Sequence, residues 1–156
     1  MTYPASTHPA SPSTVPLAAL WRRLAAMVYD FFLVFAIWIV VGFAVMSALG
    51  IDQVRAEQGL APLHQWLLFA GEILSAVLFF GWFWTHSGQT LGMQAWRIKV
   101  ESRDGTPLSW KQVLQRLAVA PFALACAGLG YWWCLVDAEQ RSWPDLVSRS
   151  RVIKVA

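Results

Sequence analysis

Charge is scarce in this chain. Its 156 residues include 12 Lys and Arg and 9 Asp and Glu, or 13% charged, against roughly 25% in an average soluble domain. Cysteine is scarcer still, with only Cys126 and Cys134, eight residues apart. That excludes a disulfide scaffold and any C-x-x-C or paired-His metal motif. No metal or cofactor is expected, and the two cysteines read as small apolar residues. No phosphate-binding glycine loop or nucleophile–base pair appears, so no enzymatic activity is expected. The first 16 residues, MTYPASTHPASPSTVP, contain no Lys or Arg. A secretory signal needs a positive start before its apolar stretch, so residues 1–16 read instead as a disordered Pro/Ser/Thr-rich tail. The remainder, 17–155, reads as one domain.

What the chain has in plenty is apolar surface, at 57% hydrophobic residues and ten Trp. The charges are also unevenly placed. Phe31–Ile51 holds 21 uncharged residues, 73–96 holds 24 and 117–136 holds 20. About 20 apolar residues of helix span a bilayer core of ~30 Å. The sequence therefore predicts an all-α integral membrane protein, with the lipid bilayer as its first partner. Two full transmembrane helices are expected, over about Leu20–Leu49 and Leu63–His86, joined by a polar link over Asp52–Pro62. A third hydrophobic region, about Val113–Val136, is interrupted by Pro121 and by Gly128-Leu129-Gly130. It is either one kinked crossing or two short helices that enter and leave by the same side.

The positive-inside rule separates these two readings. With the start of the first span inside, a re-entrant third region puts every Lys and Arg except Arg55 on the inner side. A full crossing would strand Arg141, Arg149, Arg151 and Lys154 outside. The re-entrant reading follows, with both termini cytoplasmic, and the net charge of +3 no longer suggests nucleic acid. Trp21, Trp82, Trp84, Trp110 and Trp143 suit the inner interface and Trp66 the outer one, while Trp38 falls mid-span and should pack on another helix.

Between the second and third regions the pattern changes. Ser87–Gly92 reads as a turn-rich exit, and its Gly88-x-x-x-Gly92 is discounted as a helix-packing motif because it lies in that turn. Trp96–Val100 alternates apolar and basic residues as a half-exposed strand does. Asp104-Gly105 favours a tight hairpin turn, and Pro107 stops a long return strand. Ser109 is an expected N-cap for a helix from Trp110. Ser150–Val155 is another β-branched run that pairs with Trp96–Val100 if both lie on one side. A small cytoplasmic β-hairpin or strand element is therefore expected.

Ionisable residues within apolar spans are expensive, which makes them site candidates. Arg23 and Asp30 are seven residues apart, on one helix face but ~10 Å apart along the axis. Asp30 either binds an ion or proton or pairs with an Arg from another segment, such as Arg116. Glu72, mid-span without a basic neighbour at its depth, suits either a proton relay or a carboxyl bonded to an adjoining helix. His64 and His86 read as interface residues. Ser142-Trp143-Pro144-Asp145 fits a capping box that opens a short helix.

Arg23-Leu-Ala-Ala-Met-Val-Tyr-Asp30 resembles the opening motif of the RDD family, which is named for one Arg and two Asp. Gly88-Gln-Thr-Leu-Gly92 through Arg97 to Asp104-Gly105 resembles that family's loop after the second span. Arg116 matches an Arg at the start of its third region, and Asp145 with Arg151-Val152-Ile153 resembles its terminal Asp and closing strand. The resemblance covers about residues 17–155, although Trp143-Pro144 stand where the family commonly shows small or basic residues and then His. It implies a bacterial inner-membrane protein whose name-giving trio is Arg23, Asp30 and Asp145. The family is suspected of transport, with cation–proton exchange proposed for some members. Two functions are expected on this basis. One is a cation/proton transporter or transporter subunit using Asp30, Asp145 and Glu72, as a homo-oligomer or with an unidentified membrane partner. The other is a scaffold or assembly module in which the trio is structural.

Overall fold

The computed structural model describes residues 17–51 and 59–155. The tail 1–16 and most of the polar link, Arg55 included, lie outside the described residues. Helix α1, Leu20–Ala48, and helix α2, Pro62–His86, are both long and apolar enough to cross a membrane. Pro62 opens α2 at a position where its missing N–H costs nothing. The two pack side by side: the Trp38 indole donates to the Glu72 carbonyl at 2.9 Å, and Gly71 lies under Val41. Trp38 thus packs against a helix as expected. Only Arg23, Ala26, Asp30 and Val34 are buried on α1, a single stripe at helical spacing. Phe31, Phe32, Phe35, Ile39, Val40 and Phe43 of the same helix are exposed.

The exit after α2 holds a short helix that the sequence reading missed. Helix α3, Leu91–Ala95, is N-capped by Thr90, whose hydroxyl accepts from the Met93 amide at 3.2 Å. Trp96 and Arg97 belong to its end, so β1 begins later than expected, at Ile98, and runs to Ser102. Gly105, at φ +77°, closes the following turn by donating to Ser102 O at 2.9 Å. No strand returns from that turn among the described residues. The partner of β1 is β2, Ser150–Lys154, antiparallel with Val100 opposite Val152. The pairing expected between the Trp96–Val100 and Ser150–Val155 runs is thus present, and of the hairpin and strand alternatives it is the distant strand pair that forms. Leu17 bridges to Ile153 on the far side of β2.

Helix α4, Trp110–Ala125, opens with a capping box: Ser109 N donates to Gln112 Oε1 at 2.9 Å, and Gln112 N to Ser109 Oγ at 3.4 Å. Pro121 does not break it. The loss of one amide is tolerated, and the chain turns instead where Ala127 and Gly128 both take positive φ, at 52° and 76°. Helix α5, Leu129–Trp132, with a 3-10 turn over Trp133–Leu135, follows at 108° to α4. Helix α6, Trp143–Val147, precedes β2. The buried core, including Ala26, Met93, Ile98, Val100, Val113 and Val152, lies at the end of the helix pair where α1 begins and α2 finishes. Gly81 of α2 seats the Trp110 ring there, with room for no side chain.

Candidate functional site

Two carboxylates of the predicted set are buried at this end, in different surroundings. Asp145 sits at the third position of α6, and the Ser142 amide and hydroxyl donate to its Oδ2 at 2.9 and 2.8 Å. This is the capping box read from the sequence, but it faces inward. Arg23 Nη1 donates to the same oxygen at 2.7 Å, and Arg116 Nη1 to Oδ1 at 2.5 Å. The side chains retain 6% exposure at Arg23, 9% at Arg116 and 0% at Asp145. Burial alone would disfavour the Asp145 charge. Arg116 first, then Arg23 and the Ser142 amide, outweigh it and hold the carboxyl below its ordinary range.

Both arginines have further acceptors. Arg23 Nε donates to Ala18 O at 3.0 Å, Nη2 to Gln140 O at 2.9 Å, and Nη1 lies 3.5 Å from Cys134 Sγ. Cys134 is therefore a neighbour of a guanidinium and not simply a small apolar residue. Arg116 donates to Ser150 Oγ and lies with its guanidinium carbon 5.2 Å from the Trp84 ring centroid, a cation–π arrangement. Gln140, beyond the bend, and Asp145 both meet Arg23 near the start of α1, and Asp145 links Arg23 to Arg116 on α4. The third region thus leaves that end and returns to it.

Asp30 is not part of this cluster. It pairs with neither Arg116 nor Arg23, which face Asp145 instead. At 5% exposure, it accepts from the Thr90 hydroxyl at 2.5 Å and from the Gly92 amide at 3.0 Å. Among the described residues no cation pairs with it. Gly92 is required here: a Cβ would lie 2.4 Å from the Ala26 carbonyl oxygen and 2.8 Å from Asp30 Oδ1. The glycine discounted as a packing residue does approach a helix, though from a short helix of its own. Glu72 lies elsewhere on α2, half-buried, its side chain bonded to none of the described residues. His86 is exposed and lies 2.9 Å from the Trp82 carbonyl.

Sequence reasoning missed Thr90, Gly92 and Ser150. Thr90-x-x-Met93 has the spacing of an N-cap, but without an acidic residue it gave little signal. No group of three or more His, Cys, Asp or Glu among the described residues is placed to hold a metal. Chemically, the arrangement clasps. One carboxylate joins two cations from different helices, and the other joins a helix to the start of another.

No curated protein and no solved structure matches the chain. The family model does: it covers residues 17–149, from the first turns of α1 through both carboxylate sites, and the chain belongs to the RDD family.

Proposed function

We propose that this protein is a membrane-embedded scaffold or assembly module of the bacterial inner membrane. In this reading α1 and α2 cross the bilayer, α4 and α5 enter and leave by the inner side, and both termini are cytoplasmic. The cluster of Arg23, Arg116 and Asp145 is a structural latch. One observation carries this: the Asp145 side chain is fully buried and both its oxygens are already engaged by protein donors. A transported ion would have to displace a guanidinium to reach it. The exposed phenylalanines of α1 suit lipid tails or a membrane partner, including a second copy of the chain. The module carries out no catalysis.

Transport is the second reading, favoured by one observation: Asp30 is buried without a cationic partner among the described residues. Reconstituted vesicles discriminate between the two. The scaffold reading expects no cation-dependent proton flux above empty vesicles, and stoichiometric copurification of another membrane protein or a second copy. Flux that Asp30→Asn abolishes would replace it with the transporter reading. A reporter fused after Ala156 should be active only on the cytoplasmic side, and activity only outside would overturn the re-entrant topology.

A further inference from the structure

The chain from Thr90 to Ser102 and the chain from Ser142 to Lys154 follow the same plan at a constant separation. From Thr90 to Ser142 is 52 residues, and each hydroxyl residue is an N-cap. Each cap opens a five-residue helix, Leu91–Ala95 in one and Trp143–Val147 in the other. Each helix is followed by two linking residues, the second an exposed arginine at φ +51°, Arg97 or Arg149. Each arginine leads straight into a five-residue strand, Ile98–Ser102 or Ser150–Lys154. Residue type also agrees at the cap, Thr90 and Ser142, and at Arg97 and Arg149, Lys99 and Arg151, and Val100 and Val152.

The strand register completes the relation. Val100 lies opposite Val152, its own counterpart at the same 52-residue offset, while Ile98 faces Lys154 and Ser102 faces Ser150. An antiparallel pair centred on equivalent residues has a local two-fold axis through its middle. We infer that residues 90–102 and 142–154 are two copies of one helix–turn–strand unit about a local dyad at the Val100–Val152 pair, and that unlike clasps hold them, making the first the releasable one.

The clasps follow from the partners of each helix start. The second unit brings its own carboxylate, Asp145, and is held by two guanidinium groups, from Arg23 on α1 and Arg116 on α4. The position that corresponds to Asp145 in the first unit is Met93, which has no charge to offer. The first unit instead borrows Asp30 from α1, through one hydroxyl and one amide. The Arg, Asp and Asp that name the family are thereby divided: Asp30 fastens one copy, and Arg23 with Asp145 fastens the other. The Asp145 clasp draws on two long helices and the Asp30 clasp on one, so opening begins at α3.

Hydrogen exchange of the full chain in lipid nanodiscs, read on peptides covering 89–97 and 141–149, tests this. In the unmodified protein the α3 amides exchange faster than those of α6. Thr90→Val removes both the bond to Asp30 and the cap on Met93. It speeds exchange across 91–97 by about 10-fold, the factor that corresponds to losing one intramolecular hydrogen bond. It leaves 143–149 unchanged, and Thr90→Ser restores the original rates. Equal or reversed rates in the unmodified protein overturn the inference, as does a Thr90→Val that loosens both units alike.

Discussion

Replacing Asp145 by Asn preserves shape and removes one charge. It leaves Arg23 and Arg116 buried with no anion between them. At 6% and 9% side-chain exposure, neither guanidinium recovers hydration without the latch opening. Removing one partner from a buried ion pair costs about 3–5 kcal/mol, a large share of the roughly 5–15 kcal/mol that holds a domain together. For a chain of this size that lowers the thermal midpoint by about 6–20 °C, measured by tryptophan fluorescence in nanodiscs. The same loss should appear as reduced accumulation in cells. Two controls isolate the cause. Arg103→Gln breaks only the exposed contact to Glu139 at 3.8 Å and leaves the midpoint unchanged. Replacing the whole cluster, with Arg23→Met, Arg116→Met and Asp145→Leu together, recovers most of the loss because no unpaired charge remains. An Asp145→Asn protein that melts with the unmodified one would refute the claim that the buried charges hold the third region in place.

Other perturbations test neighbouring contacts. Gly92→Ala pushes a methyl group into the Ala26 carbonyl and costs on the order of 1–3 kcal/mol. Gly42→Ala, where nothing lies within 4 Å, leaves the same thermal midpoint unchanged or higher. The latch also has a pH signature. Asp145 has a lower pKa folded than unfolded, so its stabilisation is complete above the unfolded value of about 3.9 and is lost as pH falls from there through the folded value. Midpoints of the unmodified protein and Asp145→Asn therefore stay apart at pH 5–8 and converge only in stronger acid.

Much of this architecture is written locally. Long uncharged runs fix α1 and α2 to within a residue or two, and the hydroxyl-x-x-polar spacing fixes the caps at Ser109 and Ser142. Alternation and β-branching locate both strands, because the same residues line one buried face. What escaped was either too short or too distant. Five residues, Leu91–Ala95, make less than two turns, so no helical period can emerge. The partners of Asp30 are a hydroxyl and a backbone amide 60 and 62 residues away, which carry no charge pattern to search for. Of the two interruptions read in the third region, Gly128-Leu129-Gly130 marks the bend and Pro121 does not, because a helix survives one missing amide more easily than two successive positive φ angles. The bend therefore falls at Ala127 and Gly128. Cys134 gave no sign of its place beside Arg23, since that contact depends on the path of the returning chain.

The latch also sets an order of events during synthesis. Arg23 emerges from the ribosome 122 residues before Asp145. At about 5–20 residues per second it waits on the order of 10 s for its counter-charge. Arg116 joins that wait 29 residues before its end. From that point the nascent chain holds two cations destined for a buried site, and α4 has nothing to close against. The final residues therefore act as the closing step of assembly. A chain that stalls between Arg116 and Asp145 holds both guanidinium groups without the carboxylate that joins them.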